Sequence, residues 1–348
     1  MKVNIKNEKI KRRYFHRMRE AEGLAKATIC KIEKSILLYE EFTSREDFGL
    51  FNPKRATTFK EWINARKYKR KPVSVTTIYH HIRNLKAFFT WLSGQTGFKS
   101  KISLDSISYL TLDRKTVRAA TSPVLTRFPT LAYVRKLADS IEIRNPIHNR
   151  DRALISFLFL SGMRYSAICS LPLICFNRST LEISQDPQKG VDTKFGKTIL
   201  SRLLPFDNVL IGYVTSWYDY LERERGFLPK DPLFPQSKLE QKGDSIAFVS
   251  DDIVPAFWHS SNSIRTILQR HTYKAGLEYF KPHAFRHGAI HHAMKYCKNA
   301  EQIKALSQNF GHENIGTTLT TYGKLDWYSQ SEIITKMSFK EDDDEETS

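Results

Sequence analysis

The chain has 348 residues, of which 41% are hydrophobic and 12% aromatic, a composition typical of a folded protein with more than one domain. Its formal net charge of +18 favours a polyanionic partner, and nucleic acid is the first candidate. The sequence contains no apolar run of the roughly 20 residues that a membrane-spanning helix needs, and its N-terminus is not typical of a secretory signal. Four cysteines without a C-x-x-C pair argue against a disulfide framework or a Cys-rich zinc site, so a cytoplasmic protein is expected.

Residues 1–20 are predicted to form a basic arm, because lysine and arginine are frequent in this segment and apolar anchors are few. Within it, Arg12 and Arg13 are predicted to follow DNA phosphates. A solvated leader without any partner would have the same composition, so charge alone does not separate the two interpretations.

Residues 21–97 are predicted to form a helical DNA-binding domain, with amphipathic helices over residues 26–42 and 74–91. In the second helix Ser74 is a capping residue, and Gly94 is expected to end the helix with a positive φ. The face opposite the apolar stripe is suited to a DNA groove, although basic residues on a helix are more often only solvated. This face carries His80, Arg83 and Lys86.

Residues 98–128 lose helical periodicity and gain serine, threonine and basic residues, which predicts an interdomain linker. The second domain is expected over residues 129–328. It contains a fully apolar segment at 153–160, which predicts a buried helix that Gly162 ends. Two strands separated by a polar loop are predicted at 181–184 and 198–205. The expected fold is therefore mainly α with a small β-sheet, in two domains.

Three short motifs in the second domain carry residues suited to phosphate chemistry. Ser161-Gly162-Met163-Arg164 places an arginine at the exit of the buried helix, where a cation is costly without an anionic partner. Pro282 is predicted to open a helix on which His283 and Arg286 share a face. Gly311 is predicted to end a helix and to turn His312 inward, and Tyr322 follows on the next segment.

In this order the motifs resemble those of the tyrosine recombinase (phage-type integrase) family. Arg164 corresponds to the first arginine of the family, His283-Ala284-Phe285-Arg286 to its His-x-x-Arg box, and Tyr322, after Gly311-His312, to its nucleophile. The resemblance covers residues 130–325 and, more loosely, the preceding helical domain, which is similar to the core-binding domain of the family. It implies a two-domain DNA clamp that cleaves and rejoins strands through a 3′-phosphotyrosine intermediate without a cofactor or a metal ion.

The family lysine lies between two strands, which implies Lys194, with Lys189 and Lys197 as alternatives. In the implied reaction the two arginines hold the phosphodiester, and His283 accepts the proton of Tyr322. His312 is expected to bond a phosphate oxygen. The lysine is expected to protonate the leaving 5′ hydroxyl.

Two positions depart from the family pattern, since Ala167 replaces a common glutamate and Phe310 replaces a common leucine; neither is expected to abolish activity. A competing interpretation is a zinc site at His287 and His291, which are spaced i, i+4 with His292 adjacent. No third ligand occurs at a convincing spacing, so these histidines are predicted to be packing groups.

The expected partner is double-stranded DNA, bound by a homotetramer on paired sites, and an accessory directionality factor is a candidate further partner. Residues 329–348 contain a short apolar stripe that is expected to dock onto a neighbouring subunit, followed by an acidic tail; the stripe consists of Ile333, Ile334, Met337 and Phe339. The basic arm favours integration or excision of a mobile element. The alternatives are a type IB topoisomerase-like relaxing enzyme and a catalytically silent DNA-binding regulator.

Overall fold

The protein is mostly helical with small antiparallel sheets, which confirms the predicted fold class. The computed structural model describes residues 3–68, 70–122, 127–238, 240–242, 245–247, 251–312, 314–322, 331 and 334–335. The chain divides into two compact units, an N-terminal unit, Met1–Val124, and a C-terminal unit, Leu125–Ser348. Each unit has its own hydrophobic core.

The N-terminal unit is a helical bundle with one short hairpin. Its helices are α1 (Ile5–Glu20), α2 (Lys26–Phe42), α3 (Pro53–Ala65), α4 (Val75–Ser93), α5 (Leu104–Ser108) and α6 (Arg114–Thr121), and its hairpin pairs β1 (Lys67–Tyr68) with β2 (Lys71–Pro72). The two predicted amphipathic helices are therefore confirmed as α2 and α4. Ser74 caps α4 by accepting from the Thr77 amide at 3.2 Å, as predicted. Gly94 follows the helix, but its φ of −81° is not the expected positive value.

Helix α1 differs from the basic arm that the sequence predicted. Ile10, Tyr14 and Met18 are buried in the core of the N-terminal unit, and Lys11 pairs with the buried Glu40 at 2.7 Å. These three apolar residues are spaced four apart and form one stripe. The stripe is narrow and lies among many basic residues, which is why composition alone predicted a basic arm with few apolar anchors.

The segment predicted as a linker also contributes to this core. Phe98, Ile102, Ile107 and Leu110 are buried with the apolar residues of α1 to α4. Helix α6 packs against α4, and the Thr76 hydroxyl donates to the Ala120 carbonyl at 3.2 Å. The N-terminal unit therefore extends well beyond residue 97, because short helices with single apolar anchors leave no long periodic pattern.

The C-terminal unit is built around one buried helix. Its helices are α7 (Leu131–Asp139), α8 (Pro146–Ser161), α9 (Tyr165–Cys169), α10 (Asn208–Asp219), α11 (Asn262–Lys274), α12 (Pro282–Met294), α13 (Ala300–Asn309) and α14 (Ile315–Tyr322), and its strands are β3 (Phe176–Asn177), β4 (Glu182–Gln185), β5 (Ile199–Arg202), β6 (Gln236–Ser237), β7 (Glu240–Lys242), β8 (Ser245–Ala247) and β9 (Ile253–Val254). Helix α8 packs against α7, α10 and α12. Every residue from 153 to 161 is buried, so the predicted buried helix is confirmed.

The first half of α8 carries a cluster of buried charges. The Asp151 carboxylate is fully buried and accepts from Arg150 at 2.8 and 3.0 Å. Its other oxygen lies 2.8 Å from His271 Nε2 and is paired with Arg270. Burial alone would raise the pKa of Asp151, but these basic neighbours lower it to about 2. The cluster ties α8 to α11.

The predicted strands are confirmed as β4 and β5, which form an antiparallel sheet in the order β3-β4-β5. Ile183 is opposite Ser201, and Gln185 is opposite Ile199 at the open end of the pair. Residues 186–198 connect the two strands. This connection includes the 3-10 turn Lys194–Gly196, so the lysine that the family resemblance implies lies between two strands.

Candidate active site

Arg286 is the centre of the candidate site. Helix α12 begins at Pro282, as predicted, because proline fixes a helical φ at a position whose amide has no helical partner. One turn later the Arg286 side chain is only 3% exposed. Its Nη1 donates to the Gly162 carbonyl at 2.7 Å, and its Nη2 donates to the Phe310 carbonyl at 2.8 Å. Arg286 therefore links the ends of α8 and α13.

Gly162 and Phe310 form a close contact beside this arginine. Gly162 ends α8 with a φ of +54°, a conformation that glycine adopts without strain. A Cβ atom at this position would lie 2.2 Å from the Phe310 ring, so any side chain would displace the ring. The ring centroid lies 5.6 Å from the Arg286 guanidinium, a cation–π distance. Phe310 thus fills the space that glycine leaves, which accounts for one departure from the family pattern.

His312 is brought to Arg286 by the turn after α13. Gly311 has a φ of +65°; its amide donates to the Gln308 carbonyl at 2.8 Å, and the His312 amide donates to the Ser307 carbonyl at 3.0 Å. This pair of bonds is a Schellman motif, and it confirms the predicted helix end. The turn places His312 Nε2 2.7 Å from Arg286 Nη2.

The tautomer of His312 follows from its partners. Arginine can only donate, so Nε2 accepts and the ring proton lies on Nδ1. Nδ1 is 2.7 Å from the Thr318 hydroxyl, which donates in turn to the Ser307 hydroxyl at 2.9 Å. Thr318 and Ser307 are both buried. Sequence reasoning missed these two hydroxyls, since no pattern separates them from ordinary helix residues.

Both histidines of the site are neutral at pH 7. Desolvation of the ring lowers the pKa of His312 to about 4, and the charges of Arg286 and Arg164 act in the same direction. Desolvation also lowers the pKa of His283 to about 4, and three nearby basic groups contribute; they are His287, Arg286 and Arg164. Among the described residues, the charges that act on these two rings are basic, and such a field favours an anion.

Arg164 is the N-cap residue of α9, directly after the left-handed turn at Gly162, and it is partly exposed. Its charge acts on both histidines, which places it in the same cluster as Arg286. Within the described ranges no side chain or carbonyl accepts a hydrogen bond from its guanidinium. Ala167 is buried one turn further along α9. The structure thus brings together Arg164, His283, Arg286 and His312.

The loop with Lys194 leads directly to this cluster. Lys194 and Lys197 are exposed, and β5 begins two residues after Lys197. A Cβ atom on Gly311 would lie 2.6 Å from the Ile199 side chain, so β5 closely approaches the turn that carries His312. The Asn309 side chain accepts from the Arg202 amide at 2.8 Å and donates to its carbonyl at 3.1 Å. Asn309 therefore fixes β5 to the end of α13.

Tyr322 is the last residue of α14, and its side chain lies outside the described residues. Helix α14 packs against α12 and α13, the helices that carry Arg286 and lead to His312. The backbone position of Tyr322 is thus given relative to the cluster, and the role of its hydroxyl stays a prediction.

The predicted DNA-binding residues of the N-terminal unit lie on α1 and α4. Four of them are exposed: Arg12, Arg13, His80 and Arg83. Lys86 is partly buried and donates to the Thr111 hydroxyl at 2.9 Å. Arg83 and Lys86 line a groove of about 690 Å³ between the two helices, together with Arg17 and Trp91. Their contact with DNA stays a prediction.

The histidines of the competing zinc interpretation pack against aromatic rings. The His287 ring lies 4.8 Å from that of His283, and the His291 ring lies 4.8 Å from that of Phe128. In the described parts of the chain, no three histidine, cysteine, aspartate or glutamate side chains are grouped as a metal site would require. In the same parts, no helix combines the length and the apolar character needed to cross a membrane.

Comparison with known proteins identifies the family. The family model described as the phage integrase family matches residues 130–327. The tyrosine recombinase XerD of Pseudomonas aeruginosa is 25% identical over 272 residues, which cover 75% of this chain and 80% of the relative.

Two solved structures share the fold. One is the XerH site-specific recombinase bound to palindromic difH substrate in a post-cleavage complex, with a TM-score of 0.61 and 15% identity over 93% of this chain and 83% of that one. The other is the Tn1549 transposon integrase in complex with transposon right end DNA, with a TM-score of 0.58 and 16% identity. The match covers 94% of this chain and 98% of that one.

A mostly helical protein with these motifs and relatives is a site-specific DNA recombinase, an enzyme that breaks and rejoins DNA strands. The chain belongs to the phage integrase family of tyrosine recombinases.

Proposed function

We propose that Tyr322 cleaves DNA and forms a 3′-phosphotyrosine intermediate at the cluster of Arg164, Arg286, His283 and His312. The observation that carries this proposal is the joint action of both arginines on the two neutral histidines, together with the burial of Arg286 beside His312. Such a site stabilises a phosphodiester, whose charge increases in the pentavalent transition state, and paired guanidiniums match its oxygens.

In the proposed step the Tyr322 oxygen attacks phosphorus while the bond from phosphorus to the 5′ oxygen breaks. The tyrosine proton goes to His283, whose pKa of about 4 keeps it neutral and able to accept at pH 7. The leaving 5′ oxygen takes a proton from the lysine of the β4–β5 connection. Rejoining is the reverse reaction with another 5′ hydroxyl, and the covalent phosphotyrosine conserves the energy of the broken linkage.

Lys194 is proposed as this acid, with Lys197 and Lys189 as alternatives. The contact between Ile199 and Gly311 brings the end of the loop to the turn of His312. This contact supports a lysine of the β4–β5 connection as the acid. Single-turnover cleavage of DNA with a 5′-bridging phosphorothioate separates the alternatives, because its leaving thiolate needs no acid. The true acid is the lysine whose alanine variant is rescued by that substrate.

The proposed bond from His312 to a phosphate oxygen requires a change in protonation. In the free protein its Nε2 accepts from Arg286 and its Nδ1 is bonded to Thr318. A bound phosphodiester opposes the field of the arginines and raises the pKa of His312. The protonated ring then donates from Nε2, and the phosphate oxygen replaces Arg286 as its partner.

The covalent intermediate is tested with nicked target DNA and denaturing electrophoresis. We expect a protein–DNA band with the wild type and none with Tyr322→Phe. Tyr328→Phe is the matched control, since it removes a nearby tyrosine hydroxyl and should leave the band unchanged. A band that persists in Tyr322→Phe contradicts the proposed nucleophile. Relaxation of a supercoiled plasmid without any target site would instead favour the type IB topoisomerase-like alternative.

We further propose that the chain integrates or excises a mobile element, acting as a homotetramer on paired sites. The shared fold with a transposon integrase supports the mobile-element role. The apolar stripe beyond Tyr322 in the sequence supports assembly into a homotetramer. Ile334 of that stripe is half exposed, and the C-terminal unit has an apolar groove of about 670 Å³ lined by Leu204, Phe206, Tyr296 and Leu306.

Two measurements test these finer statements. Covalent capture in the source cells, followed by sequencing, should recover the ends of an element; recovery of one chromosomal site without such ends contradicts the mobile-element role. Truncation after Lys324 should abolish synapsis of two sites while binding to one site remains. Unchanged synapsis would exclude the stripe as the contact between subunits.

A further inference from the structure

A chain of side-chain hydrogen bonds runs from the arginine of the site to the helix that ends at Tyr322. Arg286 donates to His312 at 2.7 Å, His312 Nδ1 lies 2.7 Å from the Thr318 hydroxyl, and Thr318 donates to Ser307 at 2.9 Å. Since arginine has no acceptor, every proton in the chain points from Arg286 towards Ser307. The chain connects four elements: α12, the turn after α13, α14 and α13 itself.

The position of Thr318 in this chain is restricted on all sides. Its side chain is fully buried, and Ser307 is 2% exposed, so water does not replace either hydroxyl. Among the described side chains, Thr318 is the member of the hydrogen-bond chain that lies on α14, and it is one helical turn before Tyr322. A buried hydrogen bond at this point fixes both the rotation of α14 about its axis and its depth relative to Arg286.

We propose that Thr318, supported by Ser307, is a positioning residue for DNA cleavage: its bond with His312 Nδ1 sets α14, and with it Tyr322, against the turn after α13, and this bond remains when a phosphate oxygen replaces Arg286 at Nε2. This inference rests on the proposed function of Tyr322. Thr318 touches no reacting atom. Its effect is on geometry, and a displacement of about 1 Å at a reacting group is enough to slow a reaction on the order of 100-fold.

The test is single-turnover formation of the covalent complex on nicked DNA. Thr318→Val keeps the side-chain shape and removes the hydroxyl; we expect cleavage to slow on the order of 100-fold with DNA affinity unchanged. Thr318→Ser keeps the hydroxyl and should cleave at nearly the wild-type rate. Ser307→Ala removes only the last acceptor and should slow cleavage roughly tenfold.

Thr272→Val is the matched control, because the Thr272 hydroxyl is also buried but donates to carbonyls of its own helix, α11, those of Leu268 and Gln269. We expect it to cleave at the wild-type rate. The proposal would be overturned if the cleavage rate fell equally in Thr272→Val and Thr318→Val, or if Thr318→Ser cleaved as slowly as Thr318→Val. If Thr318→Val does not fold, the rate of Ser307→Ala decides, and a wild-type rate in that variant contradicts the chain.

Nitrogen-15 NMR of the His312 ring provides a readout that simple destabilisation does not move. All three proteins should show a proton on Nδ1, because Arg286 still donates to Nε2; in Thr318→Val the Nδ1 resonance should shift, because the hydrogen bond from Nδ1 is lost, whereas in Thr318→Ser it should match the wild type. An Nε2-protonated ring in the wild type contradicts the proposal. If the wild type forms no band that depends on Tyr322, the proposed function fails, while the NMR comparison still tests the hydrogen-bond chain.

Discussion

The two ends of helix α8 hold basic clusters of opposite character. Near its start, Arg150, Arg270 and His271 surround the buried Asp151 carboxylate. Beyond its end, Arg164 lies near Arg286 and two histidines whose pKa values are both lowered to about 4. The cluster at the start of α8 therefore contains its own anion, the Asp151 carboxylate. The field of the cluster beyond the end of α8 favours an anion from outside the protein.

The difference indicates what each cluster is for. Buried charges that satisfy one another hold two helices together, and removal of one partner leaves the others uncompensated. Basic groups that lower one another's pKa reduce the stability of the free protein and become favourable when a phosphodiester binds. The first cluster is expected to affect folding, and the second is expected to affect DNA cleavage.

The largest effect is expected from Asp151→Asn. This change leaves the buried Arg150 without its carboxylate and should lower the free energy of unfolding by about 3–5 kcal/mol. Urea denaturation of the C-terminal unit measures it. Glu142→Gln is the matched control, since Glu142 is in an exposed pair with Arg144 and its loss should be undetectable. An Asp151→Asn variant as stable as the wild type would show that the Asp151 cluster does not stabilise the fold.

Arg164→Ala should show the reverse pattern. We expect cleavage to slow roughly 10²- to 10³-fold, because one donor to the developing phosphate charge is lost. Stability should be unchanged or slightly raised, since a basic group near Arg286 is removed. Single-turnover cleavage and thermal unfolding measure the two quantities. A fall in the melting temperature similar to that of Asp151→Asn would show that the two clusters do not differ in the way described.

The two clusters should also change the stability of the protein in different pH ranges. In an unfolded chain histidine titrates near 6.5, whereas His283 and His312 titrate at about 4 in the folded protein, so these groups lower stability as pH falls from 6.5 to 4. The pKa of Asp151 is lowered instead, so its contribution is complete above about 4 and is lost only as pH falls through about 2.

NMR titration of the histidine rings and unfolding at several pH values check this separation. In the free protein His283 should stay neutral down to about pH 4, and bound DNA should raise its pKa. A histidine that titrates near 6.5 without DNA would contradict the basic field. Replacement of His283 by glutamine should reduce the loss of stability between pH 6.5 and 4.

The smallest effect is expected from Asn309→Ala. This change removes two hydrogen bonds to Arg202 and should destabilise the junction of β5 and α13 by about 1–2 kcal/mol. Hydrogen exchange of the Arg202 amide measures the local loss. Cleavage should slow only moderately, because the contact of Ile199 with Gly311 remains. If the cleavage rate of Asn309→Ala fell as far as that of Arg164→Ala, the junction of β5 and α13 would be as important for the reaction as Arg164.

The sequence predicted the local features of the site well. Proline and glycine act through their own backbone preferences, so Pro282, Gly162 and Gly311 fixed helix ends that the structure confirms. It predicted α1 poorly, because a stripe of one apolar residue per turn is hidden among many basic residues. The sequence predicts a linker over residues 98–128 for a similar reason, since single apolar anchors on short helices leave no periodic pattern.

The sequence by itself determined the order of the motifs, the helix and strand types, the excess of positive charge and the family. Only the tertiary structure decided that Arg286 is buried against the carbonyls of Gly162 and Phe310, that His312 is the Nδ1-protonated tautomer, and that Thr318 and Ser307 complete its hydrogen bonds. The physical reason is the range of the interactions. Helix ends depend on a few neighbouring residues, whereas hydrogen-bond partners and pKa values depend on groups that packing brings together from distant parts of the chain.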